Sequence, residues 1–337
     1  FFLSLISEFI RELHPNWNIV VSVRTYDAMK SETLLELFPT TQPEASAFQL
    51  PNIPCRHFGV PPLDDTEVQV VLNAIPGAKS LYEQGTHHLR ELLRNPFNLW
   101  LVEKMLSRVP FLPELSSISS ETELLSLFWR QRINDHELSH ELEQVLTVVS
   151  RIMVDTLDRQ NLVVSKEPIV SGGQSSEALD ELLSLEILVY SSGLQRSLEF
   201  SHNILFDFAV ARLVLPDNAD RFIDYFGADN FKTIFLFPSL EYYFTYLWLH
   251  DIALFWKVFW RMYSPNIPVH LKLLGRLALP RVIVVQAQDS DQLTPLLENV
   301  RHGHPSGCIA MAATLRIALT YPALDIRVWS DFAARIA

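Results

Sequence analysis

Apolar residues recur every three or four positions along most of this chain, which is the spacing of amphipathic helices. The pattern holds over residues 3–13 and stops at Pro15. Residues 17–23 then form a continuous apolar run, which is typical of a strand buried on both faces of a parallel sheet. The chain is therefore predicted to open with an α/β segment. Arg24 would stand at the carboxyl end of its strand, where open α/β sheets bind ligands.

A small helical domain is predicted between about residues 62 and 108. Asp64 and Glu67 have the spacing of a capping box, in which each side chain accepts a hydrogen bond from the backbone of the other residue. Asn95 and Pro96 are typical of a second helix start, because asparagine caps the first turn and proline tolerates the first helical position. A further helix is predicted just before Asn95.

The middle of the chain has a linker-like stretch at residues 109–120, rich in proline and serine. The elements predicted after it are helices over about 121–133, 137–159 and 175–186, strands over 187–190 and 197–200, and a helix over 203–215. A helix, a hairpin and a second helix at this spacing predict a winged-helix domain. Beyond Pro216 we expect successive apolar helices that form a helical array.

The composition excludes several classes of protein. Of the 337 residues 48% are hydrophobic and 20% are charged, which allows a buried core and excludes disordered, collagenous and coiled-coil chains. The net charge of -12 argues against nucleic acid or an anionic membrane as partner. The most apolar stretch, residues 231–260, is interrupted by charges and is expected to form a helical core and not a membrane span. Cys55 and Cys308 are too few for a disulfide framework, so we expect a cytoplasmic location.

The sequence lacks the parts that hydrolyse a nucleotide. A phosphate-binding loop needs glycines followed by lysine and serine or threonine, and no glycine here is followed by lysine. An apolar strand ending in paired acidic residues, which would orient Mg²⁺, is also missing. Since the sequence starts at Phe1 without methionine, we expect a segment of a longer chain. It would belong to an ATPase only if those parts lie upstream.

Three segments, in this order, resemble the second half of STAND-class NTPases, the NACHT and NB-ARC relatives of the AAA+ ATPases. They are WNIVVSVRTYD at 17–27 with CRHFGVPPLDDTEV at 55–68, then LLRNPFNLWLVEKML at 92–106, then LEFSHNILFDFAVARLVL at 198–215. The resemblance covers roughly residues 10–215.

The resemblance implies a role for three residues. Arg24 matches the position that senses the γ-phosphate, Pro96 the proline that packs on the adenine, and His202 the histidine that contacts the β-phosphate of ADP. The sequence departs from the family at Arg94, where a glycine usually stands two residues before the proline, and in the absent Walker A and Walker B segments.

The fold class expected from this resemblance is mainly α with a partial α/β segment. The parts in chain order are the end of a P-loop NTPase sheet within the nucleotide-binding domain (1–61), a helical lid (62–115), a winged helix (116–215) and a helical sensor or repeat region (216–337). The implied cofactors are ATP or ADP with Mg²⁺, both of which require residues outside this segment.

The function implied is a signalling switch. ADP would lock the lid and the winged helix through Pro96 and His202, and ATP with a protein ligand would release them to form a homo-oligomer. Such proteins serve in innate immunity, programmed cell death, anti-phage defence or transcriptional control. A non-enzymatic helical scaffold that binds a protein partner is the alternative.

Each of the three residues also has a plainer explanation. Arg24 could be a surface arginine that pairs with Asp27 or a nearby glutamate. Pro96 could do nothing more than start a helix, and His202 could be a partly buried histidine hydrogen-bonded inside its domain. The helix expected over residues 176–186 carries four acidic residues and no basic one, which argues against DNA binding by the winged helix.

Two further patterns suggest other chemistry. Residues 136–140 (HELSH) fit the H-E-x-x-H zinc-protease motif, although the flanking acidic residues and the apolar helix that follows favour a packing role. His302, His304 and Cys308 lack a fourth ligand, so we expect loop residues there and no metal site.

The eleven aromatic residues between Phe235 and Trp260 form either a recognition surface or, as we expect, a core between helices.

Overall fold

The structure is a computed structural model that describes Val21 and residues 32–38, 57, 59–109, 112–156, 162–191, 196–227, 230–321 and 324–336. The fold is mainly helical, with one small antiparallel sheet. Apart from Val21, the first helix and the strand predicted before Arg24 lie outside the described residues. The chain divides into two compact units, Phe1–Phe111 and Leu112–Ala337, and each is described by itself.

The first unit contains five described helices: α1 (Glu32–Leu37), α2 (Asp65–Ala74), α3 (Ala78–Gln84), α4 (His87–Leu92) and α5 (Pro96–Arg108). The predicted capping box at the start of α2 is confirmed. Asp64 accepts a 2.8 Å hydrogen bond from the Glu67 amide, and the Glu67 carboxylate accepts one of 2.9 Å from the Asp64 amide. Helix α3 was not predicted; Gly77 stands at its N-cap with a φ of 81°, a left-handed conformation that favours glycine.

The second unit begins with a helical and sheet region. Its elements are a 3₁₀ helix (Pro113–Ser117), α6 (Glu121–Trp129), a π-helical turn (Arg130–Asn134), α7 (Ser139–Asp155), β1 (Val164–Ser165), α8 (Lys166–Ser171), α9 (Ser176–Ser184), β2 (Leu188–Tyr190), β3 (Ser197–Phe200) and α10 (Asn203–Leu213). The predicted hairpin is confirmed, with Leu188 opposite Phe200 and Tyr190 opposite Leu198.

The sheet has three strands in the order β1-β3-β2, all antiparallel. Strand β1, which the sequence did not reveal, adds to the free edge of the hairpin and pairs Val164 with Leu198. Helix α7 packs against α8, α9 and α10 and buries Leu142, Val145, Leu146, Val149 and Met153 on one face. The sheet and its helices therefore share one core.

The rest of the second unit is helical: α11 (Ala219–Gly227), α12 (Asn230–Phe235), α13 (Phe237–His250), α14 (Ile252–Met262), α15 (Val269–Gln286), a 3₁₀ helix (Ser290–Leu293), α16 (Thr294–Arg301), α17 (Pro305–Ala318) and α18 (Ile326–Ile336). Helices α10, α13, α15 and α17 pack each on the next, and α14 packs on α11, α13 and α15. Within the described part of the chain, no helix combines the length and apolar character needed to cross a bilayer.

The aromatic run lies in this core, as predicted. Tyr243, Phe244, Trp248, Phe255 and Phe259 are all buried. The rings of Trp248 and Phe255 meet edge to face at 5.0 Å between centroids, so they join α13 to α14. The recognition-surface interpretation of this run is therefore wrong for its central residues.

Candidate functional site

The three residues that the resemblance assigns to a nucleotide do not all lie in one described unit. Arg24 lies outside the described residues. Pro96 belongs to the first unit and His202 to the second. The convergence of the three on one ligand stays a prediction.

Pro96 is an exposed first residue of α5. The Asn95 side chain caps the helix by accepting a 3.0 Å hydrogen bond from the amide of Phe97, which confirms the predicted helix start. Proline costs no hydrogen bond at this position, because the first amides of a helix have no partner within it. The exposed ring leaves an apolar surface that a planar ligand can contact.

Arg94, the departure from the family pattern, has a structural role beside Pro96. Its guanidinium lies 2.8 Å from the Asp65 carboxylate and 3.2 Å from Glu91, and its carbonyl accepts a 2.9 Å hydrogen bond from the amide of Leu63. It thus ties the start of α2 to the turn before α5. A glycine could provide only the backbone part of this connection.

Asn98 is a buried polar residue that sequence reasoning missed. Its side chain is 1% exposed, and its amide nitrogen donates a 2.9 Å hydrogen bond to the carbonyl of Leu92. Its Oδ1 atom is buried without a partner among the described residues. A second asparagine two residues after Pro96, inside an otherwise apolar helix turn, was the available signal.

His202 is exposed and occupies the N-cap of α10, directly after β3. Its Nδ1 atom accepts a 3.2 Å hydrogen bond from the amide of Ile204. Because Nδ1 accepts, the neutral imidazole carries its proton on Nε2, which is thereby a donor. His202 is exposed and not partly buried, but it is hydrogen-bonded inside its own domain, as the plainer explanation expected. The predicted helix N-terminus beside the imidazole is present.

The cavity beside this cap is too small for a nucleotide. It has a volume of about 40 Å³. Glu199, Phe200, Asn203 and Phe206 line it together with Met153 and Leu162. It has room for about one water molecule. This cavity is therefore not a nucleotide site.

The H-E-x-x-H motif does not have the geometry of a zinc-protease helix. Helix α7 begins at Ser139, so His136 precedes it and the two histidines do not lie one turn apart on one helix. The Nε2 atom of His136 lies 3.2 Å from the Glu181 carboxylate, and its Nδ1 accepts a hydrogen bond from the amide of Leu138. His136 thereby links this turn to α9, which is a packing role.

The second histidine pattern comprises His302, His304 and Cys308. The Nδ1 atom of His302 is 2.6 Å from the Glu298 carbonyl, and Cys308 is an exposed free thiol on α17. No group of three histidine, cysteine or acidic side chains suited to a metal ion occurs among the described residues.

A cleft that sequence reasoning missed lies between α6, α10 and α13. It has a volume of about 600 Å³, and its lining includes Arg130, Arg212, Tyr246 and His250. The signal available for it was an arginine at position 212 within an otherwise apolar stretch of α10.

Neither the models of known protein families nor the curated proteins include a match to this chain.

Proposed function

We propose that this chain is the carboxyl-terminal portion of a STAND-type signalling switch, which ADP locks and which ATP and a protein ligand drive to oligomerise. The observation that carries the proposal is the position of His202. It caps the helix that directly follows the last strand of the sheet, where the resemblance expects a phosphate-contacting histidine.

The topology of residues 139–213 supports a winged helix within this switch. A helix, a strand, two helices and a two-stranded hairpin follow one another, and the first strand adds to the hairpin in the order β1-β3-β2. This order of elements, which includes the strand that sequence reasoning missed, supports the winged-helix part of the proposal. Helix α10 then continues into the helical array.

The charge on α9 supports a regulatory and not a DNA-binding winged helix. The helix that would enter a DNA groove carries Glu177, Asp180 and Glu181 and no lysine or arginine. Glu181 contacts His136, and Asp180 lies 3.8 Å from the Lys166 ammonium. Carboxylates repel the phosphate backbone and release no counterions from it, so we expect no nucleic-acid partner.

The chemistry of His202 suits a diphosphate. In the neutral form its Nε2–H is a donor, and the first amides of α10 add the positive end of the helix dipole. Pro96 would contact the purine and Arg24 the terminal phosphate, for which the planar guanidinium offers several donors. Mg²⁺ and the hydrolytic groups would come from residues outside this segment.

The test is a calorimetric titration of ADP with Mg²⁺ into the full-length protein. We expect His202→Ala and Pro96→Ala each to weaken ADP binding by about tenfold, the effect of one lost charged hydrogen bond or one lost packing contact. His202→Asn separates ligand contact from helix capping, because asparagine is a good N-cap residue. It should restore the stability of α10 without restoring ADP affinity.

His304→Ala is the matched control. His304 is an exposed histidine at the N-cap of α17, and its side chain makes no capping bond. Its replacement should leave ADP affinity unchanged. If the wild-type protein binds no ADP, the switch proposal is overturned.

The helical scaffold is a second candidate, and one observation favours it. Helix α15 exposes Val269, Leu273 and Leu277 at intervals of four residues, with more than half of each side chain accessible. Such a stripe is typical of a protein-binding face. Absence of ADP binding, together with loss of a protein partner in Leu273→Ser, would favour the scaffold.

A further inference from the structure

Arg212 is held in an aromatic box at the end of α10. Its guanidinium carbon lies 5.4 Å from the ring centroid of Tyr246, 5.8 Å from that of Phe208 and 5.9 Å from that of Trp129. The three rings come from α13, α10 and α6. All three distances are within the range of cation–π interaction. The box therefore holds the guanidinium by ring contacts, and its N–H groups donate no hydrogen bond to another described residue.

No carboxylate of the described residues forms an ion pair with Arg212. Arg130, which lines the same cleft, differs in this respect, since it lies 3.2 Å from the Glu114 carboxylate. A guanidinium carries five N–H donors in a planar fork that matches carboxylate and phosphate oxygens. Arg212 is thus a positioned cation without a matching anion in the described protein.

The acidic residues of the cleft do not supply that anion. Glu114 pairs with Arg130, and Glu123 accepts hydrogen bonds of 2.8 and 3.0 Å from the amide and hydroxyl of Ser119. Of the two arginines among the described residues of the cleft, Arg212 is the one whose charge a ligand can complement.

The size and walls of the cleft suit a small organic molecule. Its volume of about 600 Å³ lies within the range of roughly 300–1,000 Å³ that is common for small-molecule sites. One wall is aromatic, since the rings of Tyr246 and His250 lie 4.4 Å apart. Leu127, Leu249 and Ile118 add apolar surface, and Ser126 and Asn134 add polar groups.

We propose that this cleft binds a small molecule in which a carboxylate or a phosphate is attached to a planar aromatic group. The anion would accept hydrogen bonds from Arg212, and the ring would pack against Tyr246 and the apolar wall. Because α6, α10 and α13 all contribute to the cleft, the ligand would stabilise the packing of these helices. This site is independent of the proposed nucleotide contacts.

The test uses benzoate and phenyl phosphate as probes and benzamide as their neutral counterpart, with binding followed by ligand-observed NMR. We expect saturable binding of at least one anionic probe to the wild-type protein and markedly weaker binding of benzamide. Arg212→Met keeps an apolar stem over the rings but removes the charge, and it should weaken the anionic probe by tenfold or more. Binding that is equal for benzamide, or absent for both anions, overturns the proposal.

Two variants separate lost binding from lost folding. Arg221→Met removes an exposed arginine of α11 that has no ion pair among the described residues, and it should leave probe binding unchanged. Arg212→Lys keeps the charge but loses the planar fork, so it should bind the anion with intermediate affinity. Should Arg212→Met retain native near-UV circular dichroism and also full probe affinity, the assignment of Arg212 is wrong.

Discussion

The hydroxyl of Ser239 donates a 2.8 Å hydrogen bond to the Oδ1 atom of Asp207, and both side chains are buried. Asp207 lies on α10 and Ser239 on α13. The bond therefore fastens the helix that follows the sheet to the helical array. A buried carboxylate is stable only when its oxygens are hydrogen-bonded, so this contact matters more than an exposed one.

We predict that Ser239→Ala destabilises the protein by about 1–3 kcal/mol, because the variant removes a donor from a buried acidic group. In a unit of this size the melting temperature falls by about 2–4 °C for each kcal/mol. Thermal unfolding measured at neutral pH gives the value. Ser264→Ala is the control, since the Ser264 hydroxyl has no hydrogen bond among the described residues. Equal melting temperatures for the two variants would contradict the prediction.

A second prediction concerns Glu241 on α13. Burial raises the pKa of its carboxyl group above the ordinary value, although Arg281, whose guanidinium lies 3.0 Å away, lowers it, and Glu121 adds to the rise. The folded protein thus binds this proton more tightly than the unfolded chain does. The tighter proton binding stabilises the folded protein fully below the ordinary glutamate pKa. This stabilisation is lost as the pH rises through the raised pKa of Glu241 in the folded protein.

Glu241→Gln should remove this contribution to the pH dependence. We expect the melting temperature of the variant, relative to wild type, to increase as pH rises from about 4 to 8. The exposed Glu137→Gln variant controls for a change of charge alone. If the melting temperature of the variant relative to wild type instead falls with rising pH, attraction to Arg281 outweighs burial in setting the pKa of Glu241.

Two glycines form a matched pair for a packing prediction. A Cβ atom added to Gly307 on α17 would lie 2.8 Å from the backbone carbonyl carbon of Asn299 on α16, whereas one added to Gly227 would have no neighbour within 4 Å. We expect Gly307→Ala to destabilise by about 1–3 kcal/mol through overpacking of α16 against α17. Gly227→Ala should be neutral or stabilising by up to about 1 kcal/mol. Denaturant unfolding measures the free energy of unfolding of both variants. The prediction is contradicted if Gly307→Ala is the more stable of the two.

Local signals in the sequence predicted several elements well. Asp64 and Asn95 cap the helices that they were expected to cap, because capping depends on residues within one turn. The hairpin followed from two short strand-like segments, residues 187–190 and 197–200, that lie close together in the sequence. These features are determined by neighbours along the chain.

Other elements depend on contacts that are distant in sequence. Strand β1 has only two residues, and it is a strand because Val164 pairs with Leu198. The H-E-x-x-H match was uninformative because the helix begins after its first histidine. Arg212 could not be recognised as a site residue, because its aromatic box and the absence of an ion pair with any described carboxylate both arise from packing between α6, α10 and α13.

The most direct test of the switch is a structure of the full-length protein with ADP bound. We predict that the Nε2 atom of His202 lies within about 3.2 Å of a β-phosphate oxygen. We also predict that the Pro96 ring packs on the adenine. A structure in which ADP is bound elsewhere, with His202 and Pro96 facing separate surfaces, would contradict the proposed switch.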